Sequence, residues 1–477
     1  IPRDHLLRQI DRTIDFSFIR ELCEPLYCAD NGRPAIDPEI LFRMLFVGYL
    51  YGVRSERRLE EEINFNMAYK WFCGLGLTEK APDATTISVN RKRRFRDNDI
   101  AEKIFNEILK QAMAQGLVNG AVMYTDSTHI KAKANKHKKR TVTVEKTPSE
   151  YLRDLDDEVD RQRVILGKQP FDRSNDRDGG DRTGGTGGGT GETGETGASG
   201  GKKSETREIQ QSTTDQQSGQ LNRMNKPDGF HYLEHRTVDS RANIITNVCV
   251  TPANVNDHEL IPAVISQLGS RLGFLPEVIG LDAGYHNAGT CRELLLSGIS
   301  IVVGQRRHTH KHETFGKYRF RYDSDKDVYV CPQGHELFCT TVSRDGNREY
   351  HCPAPICEAC PLRKQCFGEK SKGKKVTRHV WQGYLDAADE YTHTPIGQRV
   401  YRRRKETIER SFAEAKELHG FRCARMLGLK NMAEQSFMTA TVQNMKRIAR
   451  FALVVFAHIR TRCNCFLLIF TPRLSAV

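Results

Sequence analysis

The chain has 477 residues, with 73 lysines and arginines against 60 aspartates and glutamates, a net charge of +13 and 38 % hydrophobic residues. That length suggests two to four domains with room for a buried core, and there is no run of about 18 apolar residues to cross a bilayer. The positive excess points to a polyanionic partner, nucleic acid first, and no membrane association is expected. No targeting signal is visible, and with Ile1 in first place the start of the protein is left open.

In chain order, residues 1–116 are predicted to be mostly helical. Asp37-Pro38 is a good helix start, with Asp as N-cap and Pro at the first helical position. A second helix is expected from Ser55 with Leu59 and Ile63 inward. A third runs over 99–115, with Ile100, Ile104, Ile108 and Ala112 on one stripe and Gly116 after it. The basic run Arg91-Lys92-Arg93-Arg94-Phe95-Arg96 lies between them, which suits either a helix-turn-helix-like DNA-binding domain or a solvated helix face.

A short apolar run over 118–126 reads as a buried strand ending in Asp126, followed by a basic segment from His129 to Arg140. Residues 141–225 break the pattern. Tyr151 to Leu166 suits a charged helix, and Gly179–Gly201 has almost nothing apolar to offset its chain entropy, so disorder is expected there. Strands are predicted at 229–238 and 242–251, a helix at 257–270 and a strand over 278–281 ending in Asp282. A helix at 288–296 and a strand over 299–303 come next. A cysteine-rich basic insertion occupies 310–378, with basic runs at 306–311 and 363–375, and a long helical region spans about 395–455.

Two sets of residues carry candidate chemistry. The first is acidic. A strand ending in Asp126, a hairpin and helix, a strand ending in Asp282 and a late helix presenting Glu409 follow the order of an RNase H-like core. Clustered carboxylates repel, so the three call for a divalent cation, Mg²⁺ or Mn²⁺, as hard oxygen ligands prefer. Taken singly, Asp126 and Asp282 could be turn residues, and Glu409 could pair with Lys405 or Lys416 along its helix.

The second set is sulfur. Six of the 14 cysteines, Cys331, Cys339, Cys352, Cys357, Cys360 and Cys366, fall within 36 residues, and the others are scattered. This is the pattern of a reduced cytosolic chain with one local cluster rather than a disulfide framework. Cys352, Cys357, Cys360 and Cys366 have ligand-like spacing for a structural Zn²⁺, with His335 and His351 nearby. An iron–sulfur cluster and a metal-free cluster stay open.

The motifs Thr125-Asp126-Ser127-Thr128-His129-Ile130-Lys131-Ala132-Lys133-Ala134-Asn135, Leu281-Asp282-Ala283-Gly284-Tyr285 and Ile408-Glu409-Arg410-Ser411-Phe412 with Lys416 stand in one order. Together they resemble the DDE transposases of bacterial insertion sequences, in the subgroup with an N-terminal helical domain and a cysteine-bearing insertion before the catalytic Glu. Gly32-Arg33-Pro34 through Phe95 resembles the helical domain that precedes the core, so the likeness covers about residues 10–450 without the Gly-rich segment. The resemblance implies an α/β fold with an RNase H-like catalytic core. It also implies Mg-dependent phosphodiester hydrolysis and strand transfer on double-stranded DNA, both element ends and target. A DNA-bound homo-oligomer and a cytoplasmic, nucleoid-associated location in a bacterium complete the expectation.

In that family three acids bind the catalytic metals, which carries over to Asp126, Asp282 and Glu409. A Tyr, an Arg, the Glu and a Lys also recur at fixed offsets. Glu409 and Lys416 match, seven residues and two helical turns apart. The Arg position holds Lys405, and the Tyr position holds Arg402 with Tyr401 one residue earlier. DNA-backbone contact is therefore expected from Lys416, Arg402, Arg403, Arg404, Lys405 and Lys131.

The expected division is a helical domain over 1–116, an RNase H-like core in parts 117–140 and 226–309, and a disordered insertion over 141–225. The cysteine-rich insertion over 310–378, a helical remainder over 379–455 and a tail over 456–477 complete it. A metal-dependent nuclease without strand transfer, and an inactive or domesticated sequence-specific DNA-binding protein, are the competing functions.

Overall fold

The computed structural model describes residues 1–28, 35–145, 150–171, 206–221, 228–255, 257–305, 314–368, 371 and 373–469. The Gly-rich stretch 179–201, Gly32-Arg33-Pro34 and the basic run 306–311 lie outside them.

Seven helices open the chain: α1 (Leu6–Thr13), α2 (Phe18–Cys23), α3 (Pro38–Leu50), α4 (Glu56–Phe65), α5 (Met67–Phe72), α6 (Ala84–Asn90) and α7 (Ile100–Ala114). Their starts follow cap chemistry. The Asp37 carboxylate accepts from Glu39 N at 2.9 Å, Ser55 caps α4, and Asp83 caps α6 through Thr86 N at 2.8 Å. Phe95 and the Ile100, Ile104, Ile108 and Ala112 stripe are buried.

The sheet follows: β1 (Val122–Lys131), β2 (Lys139–Glu145), helix α8 (Glu150–Ile165), β3 (Thr206–Ser212), β4 (Gly219–Leu221), β5 (Gly229–Asp239), β6 (Ile245–Pro252), helix α9 (Ile261–Leu272), β7 (Val278–Leu281), helix α10 (Ala288–Leu296) and β8 (Ser300–Val303). Its centre has the order β6-β5-β1-β7-β8. β5 is antiparallel to both β1 and β6, whereas β7 is parallel to both β1 and β8. At Gly280 a Cβ would come 2.5 Å from the Tyr124 ring on β1, so only glycine permits this close pairing just before Asp282.

Two expectations change here. β1 does not end at Asp126; its pairing with β5 continues to Lys131, so Asp126 lies mid-strand, opposite Arg236. The polar stretch 141–225 is not wholly without structure among the described residues. β2, β3 and β4 lengthen the sheet by pairing with one another and then with the start of β5. Buried Asp215 holds them by accepting from Tyr232 Oη at 2.8 Å. The sequence signal was weak because β2 and β3 are mostly polar and β4 is only three residues long.

The cysteine-bearing stretch forms a separate five-stranded antiparallel sheet, β9 (Arg321–Asp323), β10 (Val328–Val330), β11 (Glu336–Val342), β12 (Asn347–His351) and β13 (Lys375–His379), in the order β13-β12-β11-β10-β9. Two short helices, α11 (Ala354–Glu358) and α12 (Arg363–Cys366), join β12 to β13.

The helical region expected over about 395–455 consists of α14 (Pro395–Arg403), α15 (Ile408–Leu418) and α16 (Leu429–Ile469), preceded by α13 (Gln382–His393). A 3₁₀ turn over Arg404–Glu406 separates α14 from α15. Residues 456–469, expected as tail, continue α16.

One apolar core runs from Leu7, Phe46 and Phe105 through Met123 and Ile245 to Phe437 and Ile448, so the N-terminal helices and the sheet share it across α16. Arg91, in the run read as either a DNA-binding or a solvated helix face, is buried instead and pairs with Glu56 and with Glu434 (2.8 Å) on α16. Lys92 and Arg93 are exposed.

Candidate active site

Asp126 projects from the middle of β1, Asp282 follows the last residue of β7, and Glu409 is the second residue of α15. The three come together around one guanidinium. Arg404 Nη2 lies 2.7 Å from Asp126 Oδ2, and Nη1 lies 3.4 Å from Asp282 Oδ1 and 3.9 Å from Glu409 Oε1. The Arg404 side chain is 6 % exposed, against 18 % for Asp126, 51 % for Asp282 and 47 % for Glu409, so the acids open to solvent while their counter-ion does not.

This corrects the reading of the basic run. Arg404 was expected on a DNA-facing surface with Lys405 in the signature Arg position. It is the residue placed among the acids, and Lys405 is exposed. Tyr401 and Arg404 keep the three-residue separation of the signature Tyr and Arg. One extra residue precedes Glu409, and the 3₁₀ turn over Arg404–Glu406 takes it up. Tyr401 packs against Gly304 at the end of β8, where a Cβ would collide with its hydroxyl, and Arg404 lies 5.7 Å from its ring. The retained Tyr401-to-Arg404 spacing is the signal in the sequence, and the extra residue before Glu409 shifts both by one from the signature offsets.

The other expected contacts divide. Lys416 Nζ donates to Thr128 Oγ1 at 2.6 Å, two residues past Asp126 on the same face of β1. Arg403 donates to Ser240 O at 2.7 Å, which ties α14 to the β5–β6 turn. Arg402 and Lys131 are exposed at the surface.

Beneath the acids lies a pair that the sequence reading missed. Arg236 and Glu234 on β5 are fully buried and bonded at 2.8 Å. Arg236 Nη1 also donates to Ser411 Oγ (2.7 Å) on α15 and to Gln443 Oε1 (2.8 Å) on α16. Gln443 Nε2 donates to Ser411 O at 2.9 Å. These bonds fix the turn of α15 that carries Glu409 against the strand opposite Asp126. Burial raises the Glu234 carboxyl, opposed by Arg236 and Lys416. On the far side of α15, Glu414 pairs with Lys446 and Arg447 (2.6 Å) on α16. Burial pushes that carboxyl up, but bonds from His419 and Lys446 and the charge of Arg447 prevail and hold it well below the usual range.

In the insertion, Cys331, Cys352, Cys357, Cys360 and Cys366 line one small apolar pocket, with Phe320, Leu337 and Phe367 among its walls. This is one thiol more than the expected set. Cys339 does not line the pocket, and His351 turns to Glu349 at 3.5 Å. Among the described residues, no group of three or more His, Cys, Asp or Glu side chains is already gathered in metal-binding geometry, and no helix is long and apolar enough to cross a membrane.

Two family models match the chain. The Transposase domain (DUF772) matches residues 1–93, and the Transposase DDE domain matches residues 330–449, a span that includes Glu409 and Lys416. Both models are of transposases. Their pairing in one chain is consistent with a DDE transposase of an insertion sequence. A solved piggyBac transposase synaptic complex with hairpin DNA aligns with 99 % of this chain and 84 % of that chain, at 10 % identity and a TM-score of 0.27, too low a likeness to carry an argument. No curated protein matches.

Proposed function

We propose that this chain is the DNA transposase of an insertion sequence, with Asp126, Asp282 and Glu409 as its catalytic carboxylates. The observation that carries this reading is the meeting of three carboxylates, from β1, the end of β7 and α15, at the Arg404 guanidinium. The strand order β6-β5-β1-β7-β8, with β7 and β8 parallel to β1, supports an RNase H-like core. A place where three acids share one cationic group suits a hard divalent cation, Mg²⁺ or Mn²⁺, which these acids would hold. Such a cation supplies activation of the attacking water or hydroxyl and stabilisation of the leaving oxygen.

The chain's own groups do the rest. Thr128 orients Lys416 along the strand that bears Asp126, where its ammonium can hold a phosphate beside the scissile bond. Exposed Arg402, Lys405 and Lys131 would follow the DNA backbone, with Lys92 and Arg93 of the N-terminal helices extending the basic track. Arg404 would keep the acids from repelling one another until DNA and cation arrive. Joining two element ends calls for two copies in one complex, and a nucleoid-associated location fits a DNA-bound protein.

The test is metal-dependent cleavage of the element's terminal DNA by the purified chain, beside Asp126→Ala, Asp282→Ala and Glu409→Ala. Loss in all three supports the reading, and full cleavage by all three overturns it. Joined end-to-target products separate a transposase from a nuclease that only cuts.

A further inference from the structure

The insertion is a small module with little to hold it. Its main cluster has nine buried side chains, Phe320, Tyr329, Leu337, Tyr350, Phe367, Val376 and the cysteines Cys352, Cys357 and Cys366, and Val342 packs separately with Leu155 and Val159 of α8 and with Trp381. A module of about 65 residues with so small a core needs a staple, which in nature is a disulfide, a metal or an oligomer contact. All of its cysteines are free thiols.

Two tight turns present the sulfurs. The first follows β10, where Cys331 N donates to His335 O (2.9 Å) and Gly334 N donates back to Cys331 O (2.8 Å). Gly334 has φ +82°, a conformation that glycine adopts without strain. The second follows β12, where Cys357 N donates to Pro353 O (3.3 Å) and Cys360 N to Cys357 O (3.4 Å). Cys352 at the end of β12 and Cys366 at the end of α12 complete the wall of the pocket.

Cys331, Cys352, Cys357, Cys360 and Cys366 thus face one cavity together with His335, and the rest of its lining is mostly apolar. Lys374 donates to Phe315 O (2.6 Å) and Cys366 O (3.1 Å), so one fixed positive charge already stands beside this sulfur-lined wall.

We infer that this pocket is a structural zinc site, in which the thiolates of Cys331, Cys357 and Cys360 and a fourth from Cys352 or Cys366 hold one Zn²⁺. Soft sulfur ligands with closed tetrahedral geometry select zinc. The thiols surround the pocket without yet meeting at one point. Closure is a turn of side chains whose backbones the two turns already position, with one proton released per thiol bound. The role is structural, because none of these residues is among those meeting at Arg404, and the inference stands independently of the transposase reading.

The full chain is purified without chelator, its zinc counted by elemental analysis, and its metal exchanged for Co²⁺ for absorption spectroscopy. About one zinc per chain and the intense bands of a tetrahedral Co²⁺–thiolate site are expected. The double variant Cys357→Ser/Cys360→Ser loses both, and Cys339→Ser, outside the pocket, loses neither. Loss in Cys352→Ser or in Cys366→Ser names the fourth ligand; metal retained in both overturns the proposed set. Wild-type protein with well under one zinc per chain, or with iron in its place, overturns the proposal without reference to any variant's folding.

Discussion

The sheet β1–β8 and the insertion β9–β13 manage buried chemistry in opposite ways. In the first, each strongly charged group beneath the site has an internal partner. Arg236 has Glu234, Glu414 has Lys446 and Arg447, and the three acids have Arg404. In the second, five thiols line an apolar pocket and no disulfide joins them. The core can therefore rest on its own charges and a long apolar interior, whereas the insertion rests on a cluster of nine buried side chains, the packing of Val342 on α8, and whatever its sulfurs bind. Self-sufficiency sits with the chemistry and dependence sits in its appendage.

The strongest way to break this contrast is chelation. Structural zinc contributes roughly 10 kcal/mol or more of apparent binding energy. Stripping it should sharply raise hydrogen exchange across 314–379 and leave β1, β5 and β7 protected. Equal loss of protection in both sheets would mean that the core depends on the insertion. The next largest effect concerns Arg236. Arg236→Ala leaves Glu234 buried without its partner and should cost about 3–5 kcal/mol in denaturant unfolding. Replacing both by apolar residues of similar volume should recover much of that loss.

Glu414→Gln should cost about 2–3 kcal/mol near neutral pH, since it removes one partner from a mostly buried cluster. The folded-state pKa is depressed, so this stabilisation is present above the usual carboxylate range of about 4.5 and is lost as pH falls below it. The gap between wild type and Glu414→Gln in melting temperature should thus close in acid; a gap that widens there contradicts the assignment. The smallest effect belongs to the surface. Arg402→Ala should leave stability unchanged and lower the salt slope of DNA binding by about one, whereas Arg404→Ala should destabilise the metal-free protein and be rescued in melting temperature by added Mg²⁺.

Helices α3, α4 and α7 were legible because their caps and apolar stripes are local signals. So was the order of Asp126, Asp282 and Glu409, which rests on two short apolar strands with a carboxylate in or after each and on a late helix bearing the third. Partnership was not legible. Arg91 and Arg404 look like surface charge in a basic run, and only the fold brings Glu434 and Asp126 to them across hundreds of residues. The β2–β4 strands escaped notice because they are mostly polar, with only Val142 and Val144 as a short hydrophobic period in β2.

The burial of β5 has one more consequence. From Gly229 to Asp239 every residue is buried, so both faces of this strand are covered. Alternation of polar and apolar side chains, which ordinarily tells a strand how to align with its neighbour, therefore carries little information here. Specific bonds carry it instead. Arg236 reaches Ser411, Thr237 Oγ1 meets Thr125 Oγ1 at 2.8 Å, and the Asp239 carboxylate accepts from Gly120 N at 2.9 Å. A slip of one residue would break all three and move Arg236 out of line with Asp126. The buried polar groups of β5 thus act as an alignment code, and the accuracy of the acidic site is inherited from the strand paired beside Asp126.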